Sequence, residues 1–308
     1  MTHALVTGGA GFIGSHIVDG YLARGWRVTV IDDLSTGRRE NVDPRAELIE
    51  RDLRDPATAE LLTVLRPDVV NHHAAQADVR VSVADPAADA DANVVASVRL
   101  LQKSLEAGVE RFIFASSGGA TYGEPVYAPQ DERHPQIPLS PYGCAKLSVE
   151  HYLTYFRQVH GLDAVALRYA NVYGPRQNPH GEAGVVAIFA GRLLAGGDVT
   201  INGNGEQTRD FVYVGDVVRA NMAVSEQELP GAWNVGTGVE TSVNELAQLM
   251  ADACGVSLVK KRNEAIAGEQ LRSVLEGGAL RDAASLPPPV TFREGLAATV
   301  EWLRSRST

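Results

Sequence analysis

Tyr142 and Lys146 stand four residues apart in the run Ser140-Pro141-Tyr142-Gly143-Cys144-Ala145-Lys146, at the start of an expected helix. That spacing puts both side chains on one helix face. A phenol that titrates at about 10 is a poor base near neutrality, but a neighbouring ammonium favours the phenolate. Assisted in this way, a Tyr can take the proton of an alcohol while hydride leaves the same carbon. Tyr-x-x-x-Lys alone is a frequent helix-surface pattern. It gains weight here from Ser116-Ser117 upstream and from a second group of residues nearer the N-terminus.

That second group is Thr7-Gly8-Gly9-Ala10-Gly11-Phe12-Ile13-Gly14, which follows a strand-like run and opens a helix-like one. Glycines let the backbone turn tightly and approach a pyrophosphate, which then sits at the positive end of the helix. Asp32 stands 21 residues after Gly11, at the end of the next expected strand. An acid there accepts hydrogen bonds from both adenosine ribose hydroxyls and repels a 2′-phosphate, which favours NAD over NADP. The alternative is an ordinary glycine-rich turn followed by an aspartate. Asp52-Leu53, after the third strand, is placed to frame an adenine ring.

The elements that must hold these residues alternate in type. Strands are expected over Ala4–Thr7, Val28–Asp32, Glu47–Glu50, Val69–Asn71, Phe112–Ser116 and Ala164–Tyr169. Helices are expected over Phe12–Arg24, Pro56–Leu65, Asp91–Ala107 and Pro141–His160. Short strands separated by helices of this length call for βαβ units, and so for an α/β, Rossmann-type, doubly wound parallel sheet. After Tyr169 the rhythm changes. Residues 174–210 are rich in Gly, Pro and Asn around a helix-like run at Val185–Ala195. Then come a strand near Phe211–Val214, a helix from Asp216, a strand at Ala232–Val235 and a helix at Val243–Cys254. The expected division is a dinucleotide-binding domain over 1–173, with returning segments at about 211–245. A smaller substrate-binding α/β part comprises 174–210 and 246–308. Pro287-Pro288-Pro289 breaks any regular element near the end.

Composition narrows the setting. The 308 residues hold 28 Lys+Arg against 38 Asp+Glu, a net charge of −10, which disfavours a nucleic-acid partner. Two cysteines cannot build a disulfide framework, so a reducing compartment, the cytoplasm, is expected. There is no apolar run of membrane-spanning length and no signal peptide is apparent, so no membrane association is expected. His72-His73 reads as packing near the cofactor, with no third ligand at metal-binding spacing, and no metal is expected.

With these motifs in hand, the chain resembles the extended short-chain dehydrogenase/reductases of the NAD-dependent epimerase/dehydratase group, and within them the bacterial nucleotide-sugar epimerases. The matching stretches are Thr7–His16, Asp32–Gly37, Ala74–Pro86, Ala115–Gly123, Ser140–Glu150, Leu167–Gln177, Pro179–Ala187 and Thr208–Asp216. The resemblance implies a catalytic triad of Tyr142, Lys146 and a hydroxyl, for which Ser117 comes first, Thr121 second, and Ser116 as a neighbour of the nicotinamide. It implies NAD contacts at Gly8, Gly11, Phe12, Ile13, Asp32, Asp33, Thr36, Gly37, Asp52, Leu53, Ala74, Ala75, Gln76, Asn93 and Lys146, with Tyr142 beside the nicotinamide. For a UDP-sugar it implies Asn171 and Arg209 at the diphosphate, Val185, Val186 and Asn202 at the uracil end, and Ser273 near C2 of the hexose.

Departures from the pattern refine the expectation. Gly118-Gly119-Ala120 lacks the acid pair that 4,6-dehydratases of the group use, so epimerisation is favoured. The activity implied is interconversion of UDP-galactose and UDP-glucose by transient oxidation at C4. Alternatives are an epimerase of UDP-N-acetylglucosamine, which the small Ser273 would admit, or of UDP-glucuronate, or a catalytically weak NAD-binding member. Ile266 stands where the group has a diphosphate-binding arginine, with Arg262 or Arg272 as substitutes. His180-Gly181-Glu182 matches the epimerases without a defined chemical role. Cys144 is expected to be buried packing, and Asp85, Asp89 and Asp91 a solvated face. The resemblance also implies a homodimer through helices at about 89–107 and 141–160, although Tyr152, Tyr155 and Phe156 could equally be internal core.

Overall fold

The computed structural model describes residues 1–178, 184–265 and 270–306. Its first half runs β1 (His3–Thr7), α1 (Phe12–Ala23), β2 (Arg27–Asp32), β3 (Glu47–Glu50), α2 (Pro56–Leu65), β4 (Val69–His72), α3 (Val79–Ala84) and α4 (Pro86–Ala90). A single π-helical turn, Asp91–Val95, leads into α5 (Ala96–Ala107), followed by β5 (Arg111–Ser117), α6 (Gly118–Tyr122), α7 (Pro141–His160) and β6 (Asp163–Tyr169). The second half holds β7 (Asn171–Tyr173), α8 (Val185–Leu194), β8 (Val199–Asn202), β9 (Thr208–Tyr213), α9 (Val214–Glu226) and β10 (Gly231–Val235). It ends with β11 (Glu240–Ser242), α10 (Val243–Cys254), β12 (Lys260–Asn263), α11 (Gly278–Ala283) and α12 (Phe292–Arg306).

Seven strands form one parallel sheet in the order β10-β6-β5-β4-β1-β2-β3. The apolar runs that announce β1, β4 and β6 are buried on both faces, as a sheet covered by two helix layers requires. Leu62 of α2, Leu100 of α5 and Val149 and Leu153 of α7 pack on one face with Phe112 and Phe114. Ile17, Val18 and Tyr21 of α1 join Met222 of α9 on the other. Strand order reverses between β1 and β4, and the crevice at their carboxyl ends is where such sheets bind ligands. Helix α7 starts cleanly: Ser140 accepts from the Gly143 amide, Pro141 fills the first turn, and Gly161 ends the helix in the left-handed conformation.

The later chain builds a second, smaller core, where Phe189, Leu246, Met250 and Leu296 from α8, α10 and α12 pack with Phe211 of β9. Around it lie a three-stranded sheet, β11-β9-β7, and a two-stranded one, β12-β8. Strand β10 crosses back to the edge of the main sheet beside β6. Among the described residues, no helix is long and apolar enough to cross a membrane.

Candidate active site

The glycine loop is shaped by backbone approach. Gly8 adopts φ +69°, and a Cβ there would lie 2.6 Å from the Ala74 amide nitrogen; on Gly14 it would lie 2.2 Å from the Gly8 carbonyl oxygen. β1, the head of α1 and the end of β4 therefore meet with no side chain between them. Helix α1 begins without a capping side chain and without an acid in its first turn, leaving its amides for an anion. At the end of β2 the buried Asp32 accepts from the Ala10 and Leu34 amides, each at 2.9 Å, which ties the loop to the strand. Burial pushes its carboxyl upward while those amides oppose the shift. Gly37 lies against it, since a Cβ there would come within 2.8 Å of Asp32 Oδ1. Asp33 and Thr36 are exposed beside them. Asp52 is held below the usual carboxylate range by Arg54, which it binds at 2.6 Å, and Leu53 packs against the first core. A backbone cradle, open helix amides and a strand-terminal acid make a donor and acceptor set that fits NAD.

The segment after β4 is locked by buried amides. Gln76 N donates to Asn93 Oδ1, Asn93 Nδ2 donates to Gln76 O, and both Gln76 Nε2 and Asn93 Nδ2 donate to Asp89 Oδ1, all at 2.9 Å. Asp89 is 2% exposed and so does not belong to a solvated face. The Ala and Asp repetition around it conceals one aspartate that faces inward, while Asp85 caps α4 and Asp91 is exposed. His72 is threaded between Thr7 Oγ1 (2.6 Å) and Ser97 Oγ (2.8 Å), and burial, with Lys146 adding to it, pushes it down to about 3.

Tyr142 is half-buried in the first turn of α7, and Lys146 is buried one turn later. Lys146 Nζ donates to the Ala115 carbonyl of β5 at 2.9 Å and lies 5.6 Å from the Tyr142 ring centroid. Burial pushes its ammonium down to about 8, against the pull of Asp89 and Glu150. The three candidate hydroxyls differ. Ser116 Oγ donates to Glu150 at 2.6 Å, within a buried cluster where Glu150 also receives Arg168 and Arg168 reaches Tyr122. Thr121 donates to the Ser117 carbonyl at 2.7 Å. Ser117 Oγ, at the carboxyl end of β5, has no protein partner among the described residues. Glu150 is thus a structural determinant of the site that residue type alone did not reveal, although it closes one of the matched stretches. Cys144 is exposed, not buried: the inward face of this turn is taken by Gly143, Ala145 and Lys146.

On the facing side, Asn171 opens β7 and Arg209 lies on the adjoining β9, where its Nη1 donates to the Thr208 carbonyl at 2.8 Å. Val185 is half-buried at the head of α8 and Val186 is enclosed in the second core. Asn202 ends β8 and accepts from Asn263 at 3.3 Å. Arg272 is committed to Glu240 at 2.7 and 2.9 Å, whereas Arg262 reaches the Gly203 carbonyl at 3.0 Å and has no acidic partner among the described residues. Ser273 is buried over α6, since a Cβ on Gly119 would lie 3.0 Å from its Oγ. Ile266 and His180-Gly181-Glu182 lie outside the described residues. No group of three metal-ligating side chains occurs among the described residues.

Comparison with known proteins agrees with this geometry. A curated UDP-glucose 4-epimerase of Mycolicibacterium smegmatis is 44% identical over 309 residues, covering 98% of this chain and 99% of the relative. The structure of a UDP-glucose 4-epimerase from Thermotoga maritima with UDP-glucose superposes with a TM-score of 0.97 at 45% identity, covering 100% of both chains. One from Thermus thermophilus in complex with NAD gives 0.92 at 46% identity, covering 98% of this chain and 99% of that one. The sequence pattern of the NAD dependent epimerase/dehydratase family matches residues 4–236, and the chain belongs to that family.

Proposed function

We propose that the protein interconverts UDP-galactose and UDP-glucose by transient oxidation at C4 of the hexose. The observation that carries this reading is the buried Lys146 ammonium beside Tyr142, with the uncommitted Ser117 hydroxyl at the neighbouring strand end. Tyr142 takes the proton of the C4 hydroxyl and later returns it. Lys146 favours the phenolate that must exist between these events. Ser117 orients the reacting oxygen by hydrogen bonding. The chemistry that bound NAD supplies is reversible acceptance of a hydride. Gly8, Gly11, Phe12 and Ile13 would hold its diphosphate, Asp32 its adenosine ribose, and Asp52 and Leu53 its adenine, with Asp33, Thr36 and Gly37 and the Ala74, Ala75, Gln76 and Asn93 side bordering it. Asn171 and Arg209 would hold the UDP diphosphate, a guanidinium being suited to bidentate contact. Val185, Val186 and Asn202 would lie toward the uracil. Purified protein should convert UDP-galactose to UDP-glucose without added reductant, followed by product chromatography; no conversion even with added NAD overturns the reading.

A second reading, action on UDP-N-acetyl sugars, is favoured by the small pair Gly119 and Ser273, and relative rates on the two substrate types decide it. The exposed Tyr152, Tyr155 and Val159 of α7, together with exposed Val95 and Leu105, support a homodimer, whereas Phe156 belongs to the core. Sedimentation should give twice the chain mass. Two free cysteines support action in the cytoplasm.

A further inference from the structure

Lys146 and Arg168 are the only buried ammonium or guanidinium groups among the described residues. Arg168 is spent on Glu150, which it meets from both Nε and Nη2. Two buried carboxylates act on Lys146: Glu150, one turn further along α7, and Asp89 on α4, which packs against α7. Glu150 already has its counter-charge in Arg168. Asp89 has none. Its Oδ1 accepts the Gln76 Nε2 and Asn93 Nδ2 amides at 2.9 Å, while its Oδ2 is buried without a partner. Both amides are neutral, so no cation touches this carboxylate among the described residues. A buried charge that nothing compensates is costly, and one that is kept points to a use.

The packing around Lys146 shows what that use is. Its Nζ donates to the Ala115 carbonyl at 2.9 Å and lies 4.6 Å from the Phe114 ring centroid. Phe114 lies 5.8 Å from the His72 ring, His72 meets Ser97 Oγ at 2.8 Å, and Ser97 donates to the Asn93 carbonyl at 2.6 Å. Asn93 is one of the two residues that hold Asp89. Ammonium and carboxylate thus border one packed interior with no ion pair between them, and burial leaves little water to screen them. The rings of His72 and His73 beside Lys146 stay neutral, both pushed down to about 3. Other charges on the elements packed against α7 are engaged elsewhere. Arg80 pairs with Asp78, Lys103 with Glu60 and Glu106, and Arg111 with Asp163. Arg99 reaches the Arg54 carbonyl, and Asp85 and Asp91 are exposed. We infer that Asp89 is a positioning residue for the reaction, its unpaired carboxylate being the counter-charge that keeps Lys146 protonated beside Tyr142. The inference rests on the epimerase reading for its consequence in turnover, and it gives a task to an aspartate that sequence alone places at the surface.

Two variants separate charge from shape. Asp89→Asn keeps the outline and an oxygen for the Gln76 and Asn93 amides but removes the charge; Asp89→Glu keeps the charge. Two measurements read the result across neutral and alkaline pH. One is turnover of saturating UDP-galactose; the other is side-chain nitrogen NMR of Lys146, assigned by the signal lost in Lys146→Met. In Asp89→Asn the high-pH limb of turnover and the Lys146 titration should both move down by about one unit. In Asp89→Glu both should return toward the parent. A purely structural role predicts lower turnover or stability with both titrations unmoved. That result, an upward move, or equal moves in the two variants overturns the inference. In the unaltered protein, a carboxyl carbon signal showing Asp89 protonated near neutrality overturns it without any variant. Failure of the parent to convert UDP-galactose overturns the epimerase reading instead, and the Lys146 titration still decides the pairing of charges.

Discussion

Lys146 carries its charge where charge is costly, and that sets a pH limit on the site. Its ammonium is pushed from 10.5 down to about 8, so between those values the folded chain binds fewer protons than the unfolded one. Stability therefore rises with pH across that window, and below it the buried charge costs about 3 kcal/mol. Activity runs the other way. Above pH 8 the ammonium loses its proton, and turnover of saturating UDP-galactose should fall along a single limb centred near 8. A pH–rate profile checks this, and a rate that stays level to pH 10 counts against it. Tyr142→Phe removes the proton carrier and leaves its ring volume, so turnover should drop by about 10²- to 10⁴-fold while NAD stays bound. Product chromatography and nucleotide content measure the two halves. At this scale Tyr142 and Lys146 are legible from type and spacing. The resemblance already ranks Ser117 ahead of Ser116, but the reason Ser116 is occupied is not legible, because it depends on Glu150, whose carboxylate reaches β5 only once α7 has packed there.

Among elements, the glycine loop and the lock after β4 set how well the crevice is formed. Gly14→Ala would drive a methyl into the Gly8 carbonyl and lift α1 from the loop, so a loss of about 3 kcal/mol or more, with loss of NAD, is expected. Thermal unfolding with and without NAD reads it. Asp89→Ala leaves the Gln76 and Asn93 amides without their acceptor and should cost about 2 kcal/mol, seen as a lower urea midpoint at unchanged slope. Strands β1, β2, β4, β5 and β6 are visible in the sequence because burial on both faces demands unbroken apolar runs. Strand β12 is not, since Lys260-Lys261-Arg262-Asn263 is exposed throughout and offers no alternation. The helix expected over Asp91–Ala107 is regular only from Ala96, since a π-turn precedes it. Asp89 escaped notice because an aspartate among alanines looks the same whether it caps, faces water or accepts two buried amides.

For the whole molecule, His72 and His73 tie stability to acidity. Both are pushed from 6.5 down to about 3, chiefly by burial, so below pH 6.5 the unfolded chain takes up protons that the folded one refuses. Stability should fall by up to about 1.4 kcal/mol per pH unit for each ring as pH drops from 6.5 toward 3. Urea midpoints measured from pH 7 to 4.5 should show this slope, reduced in His73→Asn. The net charge of −10 is no obstacle to anionic ligands when they are met by helix amides and by local cations such as Arg209. The return of β10 to the main sheet bears on how the chain is made. Six of the seven strands are complete once Tyr169 has been synthesised, but the edge beside β6 stays open until Val235 has left the ribosome. Asn234 of that late strand accepts from Tyr122 OH at 2.9 Å and donates to the Gln130 and Glu276 carbonyls. The nascent protein is therefore expected to wait, with an unpaired strand edge and an unfinished catalytic side, through about sixty residues of further translation, the interval in which a chaperone has most to protect.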